Sequence, residues 1–258
     1  MLKEIRCNEI EPEKRLWDKL FREEFEKLKK KYKPFSRPWS KLYFTEMQIF
    51  IDSLLKNIKE PKILEAGSGA GKDSLVLKHP NLKITLLDIS EEALKVARVY
   101  TKGFGKKNVK YICHDLFNLP FKKEVFDLTW NIGTLEHYSN NKIKEAINEM
   151  ARVTKKGGFV IVGMPNPKSL VFKKAKILAR YSFLKIIPGY RNISEKEYSP
   201  DEIIRIIKTL KKFEYFRIKY IGSPLFVETP EWIIKLFRPF EKYVEKRKFL
   251  FLIIAKIK

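Results

Sequence analysis

Hydrophobic residues in the opening part of the chain recur with the period of an amphipathic helix. Between residues 11 and 33 they are spaced three or four positions apart, at Leu16, Trp17, Leu20, Phe21, Phe25 and Leu28. Pro34 and Pro38 interrupt this pattern, and a second helical period covers residues 43–55. We therefore predict an N-terminal helical extension over residues 1–60 that packs on the core of the protein.

From residue 61 the pattern changes to short apolar runs that alternate with segments of helical length. The runs begin at residues 62, 83, 109, 125 and 158 and read KILEAG, KITLLD, VKYICHD, VFDLTWN and GFVIVGMP. Residues 73–77, 91–100 and 142–153 supply helices between them. This alternation is typical of a parallel sheet with crossover helices and predicts one α/β domain over residues 61–258.

The last third of the chain is less regular. Two late strands are expected over residues 215–221 and 249–257, at an edge of the sheet, and Ser199-Pro200 is a good start for a helix. Helical insertions are predicted at about residues 166–200 and 224–247. The first is a basic cap, because residues 168–191 contain seven Lys or Arg and no acidic residue.

Composition limits the class of protein. With 44% hydrophobic and 33% charged residues, the chain is too apolar to be disordered and too charged to be a membrane bundle. The longest apolar run, residues 249–255, is too short to span a bilayer, and the first residues contain no apolar signal core, so we expect a cytoplasmic protein. Two cysteines, Cys7 and Cys113, are too few for a disulfide framework or a zinc cluster, and no metal site is expected.

The net charge of +23 is unevenly distributed, since +13 of it falls in residues 166–258. Such a field favours anionic partners, which include nucleic acid, phosphorylated metabolites and acidic lipid surfaces. The chain is rich in Lys and Ile and has Gln48 as its single glutamine, a bias that resembles heat-adapted proteins.

A glycine-rich turn follows the first predicted strand, in the sequence ILEAGSGAG at residues 63–71. The spacing is G-x-G-x-G, whereas a dinucleotide site reads G-x-G-x-x-G and holds a pyrophosphate. Glu65 precedes the turn, and a carboxylate there suits a cationic amino group better than phosphates. Asp88 follows the second strand, where it can accept hydrogen bonds from ribose hydroxyls, and Asp115 ends the third strand, near the place of an adenine amino group.

These elements resemble the class I S-adenosylmethionine-dependent methyltransferases, especially the group typified by ubiquinone and menaquinone biosynthesis enzymes. The resemblance covers about residues 61–165 and rests on ILEAGSGAG, LLDIS, CHDLFNLPF, FDLTWNIGTLEH and TKKGGFVIVGMP. It implies S-adenosylmethionine as cofactor. It also implies a Rossmann-like, mostly parallel sheet of seven strands with an antiparallel last strand and helices on both faces.

The resemblance further implies a set of cofactor-binding residues, which comprises Glu65, Gly67, Ser68, Gly69, Gly71, Asp88, Ile89, Asp115, Leu116 and Asn131. Within this set Gly67 and Gly69 would face the methionine part and Glu65 would hold its ammonium group. Asp88 would hold the ribose, Asp115 with Leu116 the adenine, and Asn131 would lie beside the sulfonium. The competing interpretation is that the three acids cap helices or turns.

Residues for the acceptor are harder to predict, because methyl transfer needs a base only when the acceptor must lose a proton. His137 follows the fourth strand and is the best candidate, although it could equally cap a helix or support its loop. The resemblance places N-terminal helices over the active site, so Phe35, Trp39 and Tyr43 are candidates for a lid, with His137 and Tyr138 as further substrate contacts. Trp17 is interpreted as a core residue.

The sequence thus predicts an enzyme that methylates a small or lipid-like metabolite. It has neither an Asn/Asp-Pro-Pro-aromatic motif nor a Pro-Cys nucleophile after the fourth strand, which disfavours two kinds of nucleic-acid base methylation. An RNA methyltransferase that uses the basic C-terminal surface remains an alternative. A protein that binds S-adenosylmethionine without turnover is another.

Overall fold

The computed structural model describes residues 11–29, 38–171, 173, 196–225 and 229–258. Phe35 and most of the predicted basic cap at 166–200 lie outside the described residues. The helices are α1 (Glu11–Lys29), α2 (Pro38–Leu55), α3 (Lys72–Leu75), α4 (Glu91–Gly103), α5 (Asn140–Val153), α6 (Pro200–Lys208) and α7 (Glu231–Phe237). Two 3₁₀ segments span Leu135–His137 and Arg238–Arg247.

Seven strands form one sheet in the order β3-β2-β1-β4-β5-β7-β6. Their bounds are β1 (Lys62–Ala66), β2 (Lys83–Asp88), β3 (Val109–Cys113), β4 (Phe126–Ile132), β5 (Thr154–Pro165), β6 (Phe213–Ile221) and β7 (Leu250–Ile257). Strands β1 to β5 pair in parallel, and β7 runs antiparallel to both of its neighbours. The predicted fold is therefore confirmed, including the antiparallel last strand.

The core has two layers because successive side chains of a strand point to opposite faces of the sheet. In β7, Phe251 and Ile253 pack on the face covered by α5 and α6, whereas Leu252 and Ile254 pack on the face covered by α2 and α4. Strands buried on both faces carry continuous apolar runs, which explains why the runs were visible in the sequence.

Local signals account for several helix starts. Ser90 caps α4 by accepting a hydrogen bond from Ala93 N, and Ser199 forms a capping box with Glu202 at the start of α6. Helix α2 begins at Pro38, five residues before the predicted start, because a proline in the first turn needs no amide hydrogen. Among the described residues, none of the helices combines the length and apolar character needed to cross a membrane.

Candidate active site

The parallel strands end at one edge of the sheet, where a cavity that is partly open to solvent lies beside the glycine-rich turn. Ligands of open α/β sheets bind at this edge. The lining combines backbone of the turn, two carboxylates and several aromatic rings, contributed by Trp17, Phe21, Gly67, Ser68, Gly69, Leu87, Asp88, Ile89, His114, Asp115, Leu116, Ile132, Gly133, Thr134 and Tyr138.

The glycine-rich turn is held to β2 by backbone hydrogen bonds. The amides of Gly67 and Ser68 both donate to the carbonyl of Leu87, at 2.8 and 2.9 Å. Gly67 and Gly69 have φ angles of +70° and +50°, a region in which side chains are strained. A Cβ on Gly69 would also lie 3.0 Å from Cζ of Phe21. Glycine is therefore required here both for the turn and for the approach of α1.

One polar atom in the cavity wall lacks a partner. Ser68 Oγ is buried and meets no hydrogen-bond partner among the described residues. A buried hydroxyl without a partner costs free energy unless a ligand or water satisfies it. Together with the turn and the nearby carboxylates, this atom fits a polar ligand in the cavity.

Asp88 is buried at the end of β2 and stabilises the turn as well as lining the cavity. Its Oδ2 accepts from Gly69 N at 2.7 Å, and its Oδ1 accepts from Ser90 N at 2.9 Å. Burial raises the pKa of this carboxyl, although the backbone hydrogen bonds oppose the increase. Asp115 lines the cavity after β3, and its Oδ1 accepts from Phe117 N at 2.9 Å. The structure thus brings Asp88, Asp115 and the turn together, as the sequence predicted.

Three residues of the predicted set lie behind the cavity wall instead of in it. Glu65 is 2% exposed and accepts a hydrogen bond from Ser74 N at 3.2 Å. Asn131 is fully buried and joins Ala66 O to Leu135 N, at 2.5 and 3.2 Å. A Cβ on Gly71 would lie 2.4 Å from Leu86 Cδ1, so this glycine allows the turn to pack on β2. The polar groups of Glu65 and Asn131 and the backbone of Gly71 are engaged within the fold, and direct ligand contacts from these three residues stay a prediction.

Glu65 belongs to a buried acidic cluster below the turn. Asp73, in the first turn of α3, accepts a hydrogen bond from the hydroxyl of Tyr43 at 2.9 Å. Burial raises the pKa of Asp73 to about 6, and the Tyr43 hydrogen bond opposes this increase. Burial, with a contribution from the charge of Asp73, also raises the pKa of Glu65 well above its usual range. Close acidic groups away from solvent favour protonation of at least one of them.

Helix α1 forms the aromatic wall of the cavity, although the sequence favoured core packing for its Trp17. Trp17 and Phe21 both line the cavity, with ring centroids 6.2 Å apart. Polar contacts fix the helix on α4. Ser90 Oγ donates to Asp18 at 2.5 Å, and Tyr100 donates to Glu24 at 2.7 Å. The apolar period of α1 indicated a buried face, but it could not show that part of this face meets a cavity.

Trp39 and Tyr43 do not form the predicted lid. They are 8% and 7% exposed, stack on each other at 5.8 Å, and pack against Phe249 within the core layer that contains α2. Trp39 Nε1 donates to Leu225 O at 3.1 Å. The lid prediction is therefore wrong for these two residues, because the amphipathic face of α2 packs on the sheet. The tryptophan that lines the cavity is Trp17, which was interpreted as a core residue.

The loop after β4 closes the remaining side. Tyr138 and Thr134 line the cavity, and Thr134 Oγ1 donates to Gly67 O at 3.0 Å. His137 lies in the 3₁₀ turn between them, and its ring contacts Trp17 edge-on, with centroids 5.4 Å apart. His137 is thus adjacent to the cavity through Trp17 and does not itself line it.

Comparison with known proteins agrees with this geometry. Residues 63–158 match a family model described as a methyltransferase domain. The chain is 31% identical over 174 residues to malonyl-[acyl-carrier protein] O-methyltransferase of Buchnera aphidicola, which covers 62% of the chain and 67% of the relative. The chain belongs to the class I S-adenosylmethionine-dependent methyltransferases.

Other similarities extend over more of this methyltransferase. It is 30% identical over 192 residues to an uncharacterized protein of Methanocaldococcus jannaschii, which covers 67% of the chain and 87% of the relative. It is 27% identical over 218 residues to demethylmenaquinone methyltransferase of Thermotoga maritima, which covers 78% and 89%. Magnesium protoporphyrin IX methyltransferase of Synechocystis, solved with bound SAH, shares the fold with a TM-score of 0.55 and 17% identity, over 85% of this chain and 86% of that one.

The cofactor of this methyltransferase is S-adenosylmethionine. This cofactor supplies a reactive methyl group, which is bound to its sulfonium sulfur. The cavity residues fit such a molecule, because the ligand is cationic and rich in hydroxyl and amino donors, whereas the wall provides carboxylates and the unsatisfied hydroxyl of Ser68.

Proposed function

We propose that this methyltransferase transfers a methyl group to a small or lipid-like metabolite. The observation that carries the proposal is the aromatic wall of Trp17, Phe21 and Tyr138, which lines the cavity beside the glycine-rich turn. Such a wall suits an apolar or aromatic acceptor placed beside the methyl donor. Similarity to the menaquinone enzyme of Thermotoga maritima supports an acceptor of this type.

We assign the parts of the cofactor as follows. Asp88, at the end of β2, accepts hydrogen bonds from the ribose hydroxyls, and Asp115 with Leu116 contacts the adenine. Gly67, Ser68 and Gly69 contact the methionine part. The support for these roles is that all of these residues line one cavity and that Ser68 Oγ needs a donor or acceptor there. Glu65, Gly71 and Asn131 support the turn from behind.

The mechanism needs alignment of the acceptor and exclusion of water more than it needs charged catalytic groups. Helix α1 supplies the exclusion, since Trp17 and Phe21 cover the turn. We propose His137 as the proton acceptor for substrates that must lose a proton. Its ring contacts that of Trp17, so His137 would reach the cavity only if this contact rearranged.

The basic C-terminal region supports RNA as a second candidate acceptor, because +13 of the net charge of +23 falls after residue 165. Small acceptors and RNA differ in their sensitivity to nuclease. Nuclease treatment of an acceptor-containing extract destroys an RNA substrate and leaves a small metabolite or a lipid intact.

The test uses a labelled methyl donor with fractionated cell extracts, and follows formation of S-adenosylhomocysteine and transfer of the label. We expect label in an organic-soluble or small-molecule fraction, unaffected by nuclease. Asp88→Ala should abolish both transfer and calorimetric binding of S-adenosylmethionine, whereas Asp201→Ala, an exposed carboxylate in α6, should preserve both. Transfer that nuclease abolishes would reject the metabolite, and unchanged binding in Asp88→Ala would reject the ribose assignment.

A further inference from the structure

Four large apolar side chains are exposed on α7 and the 3₁₀ segment that follows it. Trp232, Leu236, Phe240 and Tyr243 are 66%, 67%, 57% and 75% exposed, and we call them the aromatic stripe. Trp232 and Leu236 are four residues apart in an α-helix, and Phe240 and Tyr243 are three apart in a 3₁₀ segment, the spacings that align side chains on one face. An exposed apolar row of this kind on a soluble fold marks an interaction surface.

The aromatic stripe is surrounded by cations. Arg238, Lys242, Lys246 and Arg247 are exposed in the same segment, and Lys242 Nζ lies 5.0 Å from the ring centroid of Tyr243. The acidic residues there are partly compensated. Glu231 pairs with Lys235 at 2.9 Å, Glu241 is buried beside Lys248 at 3.8 Å, and Glu245 is exposed. Within residues 231–247, five exposed Lys and Arg stand against two exposed Glu. The exposed charge around the apolar row is therefore positive.

The segment is firmly attached to the body of the protein, so the exposure is not that of a frayed end. Ile234 is buried on the opposite side of α7. Asn166 Nδ2 donates to the carbonyls of Lys246 and Lys248, at 3.0 and 2.8 Å, and Lys248 Nζ pairs with Glu46 of α2 at 2.8 Å. The apolar row is thus presented to solvent on a fixed support.

The position of the segment relates it to the active site. It connects the end of β6 to the start of β7. Because β6 runs in the same direction as β1 to β4, its end lies at the edge of the sheet where the cavity opens. The segment therefore leaves the sheet at the same end as the cavity.

We propose that the aromatic stripe docks this methyltransferase on an anionic lipid surface. Trp and Tyr are the side chains that prefer the interface between water and lipid, Leu and Phe insert more deeply, and Lys and Arg contact phosphate groups. The row offers all three classes within residues 232–247. Docking on lipid in this way does not depend on which acceptor the enzyme methylates.

Two other occupants fit less well. A second copy of the chain would bring two molecules of charge +23 together around an already positive segment, which opposes association. Single-stranded RNA binds by stacking bases on exposed rings along a groove. Leu236 has no ring for stacking, and the face of Tyr243 is covered by Lys242.

The first experiment measures sedimentation of the full chain with lipid vesicles. We expect binding to vesicles of phosphatidylglycerol and phosphatidylcholine, little binding to phosphatidylcholine alone, and release at high salt. The double variant Trp232→Ala/Phe240→Ala should bind about tenfold or more weakly, because it removes two interfacial anchors. Ile218→Ala, which truncates an exposed apolar residue of β6, is the matched control and should bind as the parent does.

A second measurement uses a conservative substitution that should leave the stability of the protein unchanged. Brominated lipids should quench tryptophan fluorescence of the parent, and Trp232→Phe should remove most of the quenching, since Trp39 and Trp130 are buried and Trp17 lies in the wall of the cavity. The proposal is overturned if anionic vesicles do not bind the parent or if the stripe variant binds equally. It is also overturned if the variant instead abolishes a dimer seen by analytical ultracentrifugation or binding of single-stranded RNA.

Discussion

The hydroxyl of Tyr43 donates a hydrogen bond of 2.9 Å to Oδ1 of Asp73 and so joins helix α2 to the helix that follows the glycine-rich turn. Tyr43 is buried and Asp73 is partly buried, and burial raises the pKa of each. Glu65 also has a raised pKa, because of its burial and of the charge of Asp73. The turn therefore packs on a cluster of acidic groups whose ionised forms are disfavoured by burial.

This arrangement predicts a pH-dependent stability. The pKa of Asp73 is about 6 in the folded protein and near 3.9 in an unfolded chain, so the folded state binds the proton more tightly. The free energy of unfolding should fall as pH rises from about 4 to 6 and then remain low. Asp73→Asn, which keeps an acceptor for Tyr43, should flatten this dependence and add about 1 to 2 kcal/mol at pH 8.

Denaturant unfolding at a series of pH values provides the measurement. Asp201→Asn is the control, because this carboxyl is exposed, and it should leave the profile unchanged. Tyr43→Phe removes the hydrogen bond that lowers the pKa of Asp73, so it should extend the decline to higher pH. A profile in Asp73→Asn that is identical to that of the parent would contradict the assignment.

A second prediction concerns Gly69, which combines a φ of +50° with close contact to Phe21. Gly69→Ala should displace α1 and raise KM for S-adenosylmethionine about tenfold, in addition to about 1 kcal/mol of backbone strain. Gly105→Ala is the matched control, because its φ is +63° and nothing lies within 4 Å of the added Cβ. It should lose the same stability with no change in KM.

Shortening the opposing side chain should partly reverse the Gly69 effect. In the double variant Phe21→Leu/Gly69→Ala, the ring atom that the new methyl group meets is absent. We expect KM closer to that of Phe21→Leu alone than additivity predicts. Additive effects would mean that the two residues do not interact.

The two tryptophans of the N-terminal helices should respond to truncation in opposite ways. Trp17→Ala opens the cavity and should raise KM for the cofactor about tenfold, with a modest loss of stability. Trp39→Ala removes a buried ring and should cost about 3 to 5 kcal/mol of folding free energy, while the folded fraction keeps its KM. Thermal unfolding and steady-state kinetics on both variants distinguish a residue of the cavity wall from a residue of the core. If Trp39→Ala instead raised KM and Trp17→Ala did not, Trp39 would be assigned to the lid.

His137→Gln tests the proposed proton acceptor. If His137 accepts a proton during turnover, kcat should fall about 100-fold or more, with loss of the acidic limb of the pH profile and little change in KM for the cofactor. His114→Gln is the control, because this imidazole lines the cavity and lies 3.2 Å from the carbonyl of Asp115. A smaller kcat with an unchanged pH profile would indicate that His137 only supports Trp17.

The central strands could be predicted because a strand that is buried on both faces, such as β2 or β4, reads as an apolar run between turn signals. The meeting of Asp88 and Asp115 beside the turn followed from topology alone, since carboxyl ends of parallel strands share an edge. These features depend on local pattern and on chain connectivity, and both are present in the sequence.

Side-chain direction and helix docking could not be predicted in the same way. Glu65 lies one residue before the end of β1, and whether it faces the cavity or Ser74 depends on the twist of the strand and on the packing of α3. The position of Trp17 depends on contacts of α1 with Ser90 and Tyr100, which lie more than 70 residues away. Amphipathic spacing shows that a face is covered and does not show what covers it.

The two amides that bind the carbonyl of Leu87, together with the bond from Gly69 N to Asp88, fix the shape of the turn through contacts within the protein itself. The entropy of ordering this loop is therefore lost when the chain folds and not when the nucleoside arrives, which favours tight binding with little structural adjustment. It also means that damage to the pairing of β1 with β2 should weaken affinity for the methyl donor, even where the substituted side chain does not line the cavity.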